Sequence, residues 1–231
     1  MRQYFVTGTD TGVGKTLVTA ALLAAAHHRG LRTLALKPVA AGCEIRGGEW
    51  MNDDARLLRE RATTALDYAA VNPVALRLAM APHLAARAEG RELAVAPLAA
   101  HCREVARHAH DLLLAEGAGG WLVPLNERET MADLAAALGW PVVLVVGMRL
   151  GCLNHALLTA GTIRAAGLRL AGWVANCIDP DMAARDGNIA ALRERLPAPL
   201  LGIVPHLPPA GAVEAAAGAL DIAALVDPRH A

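Results

Sequence analysis

One stretch near the N-terminus narrows the choice of fold more than any other part of the chain. Gly8-Thr9-Asp10-Thr11-Gly12-Val13-Gly14-Lys15-Thr16 follows a short apolar run, Gln3 to Thr7, and opens an Ala/Leu-rich run, Lys15 to Arg29, closed by Gly30. The first run reads as a strand and the second as a helix. Successive backbone N–H groups in such a turn point inward and form a nest for phosphate oxygens. The helix N-terminus adds partial positive charge, and the glycines permit positive φ and close approach of the backbone. On this reading Gly12, Val13, Gly14, Lys15, Thr16 and Leu17 surround the phosphates of ATP. Lys15 reaches the β- and γ-phosphates, and the Thr16 hydroxyl is placed to ligate Mg²⁺. The loop is a variant, because the glycine usual six residues before the lysine is Thr9 here, with Gly8 one step earlier. A bare glycine-rich match is often only a tight turn. Agreement of the strand, the Gly-Lys-Thr ending and the helix sets this one apart.

The rest of the chain fits the fold that such a loop requires. Further strands are expected at Thr33 to Leu36, Asp111 to Ala115, Val142 to Val146, Leu170 to Ala175 and Leu200 to Val204. Helices are expected at Asp53 to Ala62, Leu98 to His110, Thr130 to Leu138, Leu153 to Ala166 and Met182 to Leu196, with a terminal helix in Ala210 to Ala219. The runs near Leu112 and Val142 lack period-two alternation, as parallel strands covered on both faces do. Strand–helix repetition of this kind gives an α/β fold, a doubly wound and mostly parallel sheet with helices on both faces. No stretch is long or polar enough for a linker, so residues 1–231 read as a single domain.

Composition excludes several function classes. Lys+Arg and Asp+Glu both number 22, which leaves no basic excess for displacing counterions from a nucleic acid. No nucleic-acid partner is expected. The longest apolar runs, Leu17 to Ala26 and Trp140 to Val146, fall short of the roughly 20 residues that span a bilayer. The N-terminus lacks a signal-peptide pattern. Cys43, Cys102, Cys152 and Cys177 show no paired spacing and read as free thiols of a cytoplasmic protein with no membrane contact. The histidines, His27-His28, His108 and His110 among them, show no zinc-like spacing with cysteines or carboxylates.

Three further positions group with the loop. Glu116 ends an apolar strand and leads into Gly117-Ala118-Gly119-Gly120. A carboxylate at the carboxyl end of a sheet strand faces the ligand crevice and suits Mg²⁺, which takes one or two carboxylates plus phosphate oxygens. Lys37 ends another strand at the same edge, where it reads either as a surface lysine or as a charge that can neutralise a phosphoryl group in transfer. Asn52-Asp53-Asp54 reads either as a helix N-cap or as the source of a second metal carboxylate. Asn176 ends a strand and reads as an Asx turn into Pro180. Guanine-reading sites pair such an asparagine with a lysine, and Cys177 in that place opposes GTP.

These residues together resemble the dethiobiotin synthetase family, over most of the chain. Beyond the phosphate loop the likeness runs through Lys37-Pro38-Val39-Ala40, Asp67-Tyr68-Ala69, Val71-Asn72-Pro73, Pro82-His83, Glu116 to Trp121 with Val123, Leu150 to Ala156, Leu170 to Asn176 and Pro197 to Gly202. The resemblance implies ATP-dependent ring closure of 7,8-diaminopelargonic acid with CO₂, through a carbamate and a carbamic-phosphoric anhydride. It implies Mg²⁺ held by Thr16, Asp54 and Glu116, with Lys15, Lys37 and Thr11 as the catalytic set and Thr11 and Lys37 near the carbamate. Gly117, Ala118 and Gly119 would lie beside the nucleotide, with Asn176, Cys177, Val204, Pro205 and His206 around the adenine. Ala41 and Pro82 would border the diamine. Gly151, Cys152, Leu153 and Asn154 would bind its carboxylate from the partner subunit of a homodimer. Three positions depart from the family pattern: Ala41 and Ala81 stand where relatives usually or often have Ser, and Cys177 where they often have Asp.

Two rivals remain at this level. Amide-forming synthetases of similar chemistry carry a glutaminase domain, for which 231 residues leave no room. Regulatory P-loop ATPases that act through a protein partner carry an extra lysine early in the loop, where Asp10 and Thr11 stand.

Overall fold

The computed structural model describes residues 1–227. Its centre is a six-stranded sheet built from β1 (Arg2–Gly8), β2 (Thr33–Leu36), β7 (Leu112–Gly120), β8 (Val142–Gly147), β9 (Leu170–Asn176) and β10 (Leu200–Val204), in the order β10-β9-β8-β1-β7-β2. All neighbouring pairs are parallel. Side chains alternate between faces along each strand. Tyr4, Val6, Leu112, Leu114, Val143 and Val145 pack on one side, and Phe5, Leu113, Ala115, Val142, Leu144 and Val146 on the other. Both sets are apolar, which is why the sequence showed no alternation. Helix α1 (Lys15–His28) covers the first face together with α9 (Ala212–Gly218) and α10 (Ala223–Val226). The second face is covered by α4 (Pro82–Ala88), α5 (Val95–Val105), α6 (Met131–Leu138), α7 (Cys152–Ala165) and α8 (Arg185–Arg195).

Several local expectations are corrected. The strand expected to stop before Glu116 continues to Gly120. It does so through a register shift, with Val6 opposite Glu116 but Gly8 already opposite Gly120, and a Cβ at Gly117 or Gly119 would press on Phe5 or Val123. The helix expected over Leu98 to His110 spans Val95–Val105. Pro97 falls in its first turn, where a missing N–H costs nothing, and the His108 ring closes on the Val105 carbonyl beyond its end. The helix expected from Met182 begins at Arg185, because Pro180 sits in a turn where the Asp179 carboxylate accepts from the Asp181 amide (3.1 Å).

The stretch between β2 and β7 was the least legible. It holds β3 (Val39–Ala41) paired with β6 (Val74–Leu76), a hairpin of β4 (Glu44–Arg46) and β5 (Glu49–Met51), α2 (Asp53–Arg61) and the single turn α3 (Tyr68–Val71). Strands of three residues are too short to leave a periodic signal.

Candidate active site

The phosphate loop joins β1 to α1 at the carboxyl edge of the sheet. Gly14 caps α1 with φ of 81°, and no side chain caps the helix, so its first amides keep their donors for a ligand. A side chain at Gly14 would also collide with the Asn176 amide group. Asn176 ends β9 and donates to the Val13 carbonyl (2.8 Å). The expected Asx turn is thus made by Asp179, and Asn176 instead braces the phosphate loop from the end of β9, two strands away from β1. The Lys15 ammonium lies back on the Asp10 carbonyl (3.1 Å). Burial, followed by the nearby Lys37 charge, brings its pKa down to about 8.

Glu116 is fully buried and is the point on which the other groups converge. Its Oε1 accepts from the Thr16 hydroxyl (2.9 Å) and from the Lys37 ammonium. Lys37, only 4% exposed, also meets the Asp54 carboxylate (3.3 Å) and the Gly117 carbonyl (3.3 Å). Burial works against its charge, but Glu116 and Asp54 outweigh that and hold its pKa above the ordinary value. Asp54 reaches the group because Asn52 caps α2, its Oδ1 accepting from the Asp54 amide (3.0 Å) and the Ala55 amide (3.3 Å). The capping reading of Asn52-Asp53-Asp54 is borne out, and the cap leaves the Asp54 carboxylate beside Lys37.

Glu116 Oε2 is buried and has no hydrogen-bond partner among the described residues. Among the described residues no cluster of three His, Cys, Asp or Glu side chains forms a metal cage. A hydroxyl and two carboxylates, one with an orphaned oxygen, beside a phosphate nest are the hard, incomplete donor set that Mg²⁺ shares with phosphates. The residues fit that ion.

Beside this cluster lies a cleft of about 530 Å³. Thr11, Lys37 and Asp54 form its polar end, and Ala40, Ala41, Met80, Pro82, Ala118 and Val123 its apolar walls. Gly119 forms the floor at φ of 68°, and a Cβ there would come within 2.7 Å of Val123 and 3.3 Å of the Thr11 hydroxyl. Ala41 and Ala81 offer methyl groups to the same cleft. Gly151, Cys152, Leu153 and Asn154 do not line it. They form the start of α7, where the Cys152 amide is already taken by the Arg149 carbonyl (3.0 Å) and its thiol is buried. Cys177 is likewise buried, its amide donating to the Val204 carbonyl (2.8 Å). Leu17 is half-buried in α1, and Pro205 and His206 emerge exposed after β10.

Sequence reasoning missed the ion pair between Arg149 and Asp10, which ties the start of α7 to the phosphate loop. No local pattern marks Arg149. Asn52 also donates to the Ala41 carbonyl (3.2 Å), a contact that a capping residue does not advertise.

A phosphate nest at the carboxyl edge of a parallel sheet, with a lysine, a hydroxyl and a buried carboxylate around it, defines a P-loop NTPase. Solved structures agree on the fold: MinD of Pyrococcus horikoshii with Mg-ADP superimposes with a TM-score of 0.58 at 18% identity, covering 99% of this chain and 90% of that one. The MinC:MinD complex of Aquifex aeolicus gives 0.57 at 16%, covering 96% and 88%. A family model described as an AAA domain matches residues 2–214. Among curated proteins, the ATP-dependent dethiobiotin synthetase BioD of Cellvibrio japonicus is 56% identical over 98% of both chains. That of Pseudomonas paraeruginosa is 55% identical over 94% of this chain and 95% of its own. This chain belongs to the ATP-dependent dethiobiotin synthetase family.

Proposed function

We propose that the protein makes dethiobiotin by ATP-dependent carboxylation and ring closure of 7,8-diaminopelargonic acid, the activity named for its relatives. The observation that carries the residue-level reading is the convergence of Thr16, Lys37 and Asp54 on buried Glu116, at the mouth of a cleft with apolar walls. Its volume of about 530 Å³ falls in the range of small-molecule sites. We read the chain as one domain from residue 1 to 231, of which 228–231 lie outside the described residues.

In this mechanism one substrate amine adds CO₂ as a carbamate, and Thr11 and Lys37 orient it. A carbamate oxygen attacks the γ-phosphorus in line, and the bond to the ADP oxygen breaks. The second amine then attacks the carbamoyl carbon, phosphate leaves, and the ring closes. Lys15 leaves the Asp10 carbonyl for the β- and γ-phosphates, while Lys37 offsets charge on the phosphoryl group in transfer. Thr16, Asp54 and Glu116 would hold Mg²⁺, which supplies further positive charge to the phosphate oxygens. Ala40, Ala41, Pro82 and Val123 pack the hydrocarbon chain of the diamine. Asn176, Cys177, Val204, Pro205 and His206 border the adenine.

A second copy of the chain completes the site in this reading. Gly151, Cys152, Leu153 and Asn154 bind the substrate carboxylate in trans, and the exposed Leu150 (96%) and Leu158 (62%) lie in the homodimer contact. The protein works in the cytoplasm on small molecules, without nucleic acid. No helix among the described residues is long and apolar enough to cross a membrane.

Purified protein should release phosphate from Mg-ATP only when the diamine and bicarbonate are both present. Equal hydrolysis without the diamine would overturn the reading. Leu158→Glu should yield monomers by light scattering with weakened diamine binding; a monomer that binds the diamine normally would remove the partner's role.

A further inference from the structure

Two sequence segments, Asp67-Tyr68-Ala69 and Val71-Asn72-Pro73, contribute no side chain to the cleft. They nevertheless hold two of the chain points from which site residues project. Both backbone polar groups of Lys37 are engaged there: its amide donates to the Val71 carbonyl (2.8 Å), and its carbonyl accepts from the Asn72 side-chain amide (2.6 Å). Asn72 also donates to the Val74 carbonyl (3.2 Å), which fixes its orientation. The Tyr68 hydroxyl donates to Asn72 Oδ1 (2.9 Å) and accepts from the backbone amide of Asn52 (2.7 Å). Asn52 in turn caps the helix that begins with Asp53 and Asp54. A continuous chain of hydrogen bonds therefore runs from Lys37 through Asn72 and Tyr68 to Asn52 and Asp54.

We propose that Tyr68 and Asn72 are positioning residues for phosphoryl transfer, holding the end of β2 and the start of α2 at the separation that brings Lys37 and Asp54 together. Asn72 is 3% exposed and Tyr68 7%. A buried tyrosine hydroxyl ordinarily needs only some partner. These two partners are distinguished by what they carry, one leading to the Lys37 backbone and the other to the Asp54 helix cap. None of these bonds touches the phosphate loop or α1, so their loss separates chemistry from nucleotide binding. Misplacement of a reacting group by about 1 Å costs on the order of a hundredfold in rate.

The inference rests on the roles proposed above for Lys37 and Asp54. Its test compares Tyr68→Phe and Asn72→Ala with the parent chain and with Lys37→Ala. Rates are expressed per ATP site, titrated with a non-hydrolysable ATP analogue, so that incomplete folding does not disguise the result. Both variants should lose at least about fivefold in kcat while binding the analogue, titrated without Mg²⁺, as the parent does. Hydrogen exchange at the Lys37 amide should also accelerate in Asn72→Ala. A smaller fall in kcat, or a parallel loss of kcat and analogue affinity, overturns the proposal. Activity retained by Lys37→Ala would instead overturn the reading of the site itself.

Discussion

The buried pair of Lys37 and Glu116 allows stability and catalysis to be separated by experiment. Glu116 is fully buried and Lys37 is 4% exposed, so neither charge can recover its hydration if the other is removed. Asp54 differs, since its side chain is 48% exposed and water can replace its partner. In Lys37→Met the side-chain volume is nearly kept, but Glu116 retains only the Thr16 hydroxyl as a donor. Breaking a buried ion pair from one side costs about 3–5 kcal/mol, whereas replacing both charges together is often neutral. For a chain of this size each kcal/mol moves the melting temperature by about 2–4 °C, so the single variant should melt roughly 6–20 °C lower. Glu116→Gln strands the lysine instead and should also destabilise, less so because Asp54 remains as a counter-charge. The double variant should be more stable than the sum of the two losses by about 2 kcal/mol or more. Urea and thermal unfolding of all four proteins without nucleotide measures this directly. All three variants should be inactive, so stability alone reports the coupling. A loss below about 1 kcal/mol in Lys37→Met, or strict additivity in the double variant, would show that the pair is hydrated and that its burial has been misread.

Three further outcomes follow from the same geometry. The pKa of Lys15 falls from 10.5 to about 8 on folding, so the unfolded chain binds more protons between those values and stability rises with pH across that window; Lys15→Met should lack the rise, and equal slopes in urea midpoints would contradict the assignment. The Arg32 guanidinium holds the Asp111 carboxyl down at about 2, against an ordinary 3.8; the stability it lends is present above the ordinary value and lost as pH falls toward 2, so Asp111→Asn should unfold with a flatter acid dependence, and an unchanged acid limb would dismiss the pair. Asn176→Ala leaves the Val13 carbonyl without its buried donor, a loss of about 1–3 kcal/mol that should weaken ATP binding about tenfold by titration calorimetry, with unaltered affinity removing Asn176 as a brace of the loop.

The main sheet and the phosphate half of the site were legible because both are written locally. A run such as Val142 to Val146 identifies itself as a buried parallel strand, and the order strand, loop, Lys15, Thr16, helix lies within one short segment. Glu116 and Lys37 were legible one step less directly. Each ends an apolar run, and parallel topology sends all such ends to one edge. What could not be read was the extent of β7 past Glu116, since Gly117 to Gly120 looks like a loop until Gly8 is seen paired with Gly120. The hairpin around Gly47-Gly48 and the pairing of Val39 with Val74 were hidden for the opposite reason. Each strand there is too short to carry a period, and its pairing is specified by a partner elsewhere in the chain.

The same distinction predicts that the two halves of the site will respond differently to substitution. The nest that begins α1 is made of backbone donors whose conformation rests on the positive φ of Gly12 and Gly14, so a change at Thr9 that keeps the turn should leave it intact. The cleft has no such template. Its walls come from Ala41 in β3, Pro82 in α4, and Ala118 and Val123 at and just after the end of β7. A serine at Ala41 or Ala81 would place a hydroxyl in the cleft, where the wall now offers methyl groups; on the proposed reading the diamine packs against them. Ala41→Ser and Ala81→Ser should therefore change diamine affinity, by about fivefold for a hydrogen bond of about 1 kcal/mol, while leaving nucleotide affinity as it is. If both variants bound the diamine as the parent does, the substrate amines would have to lie elsewhere in the cleft, nearer Thr11 and Lys37 than its alanine wall.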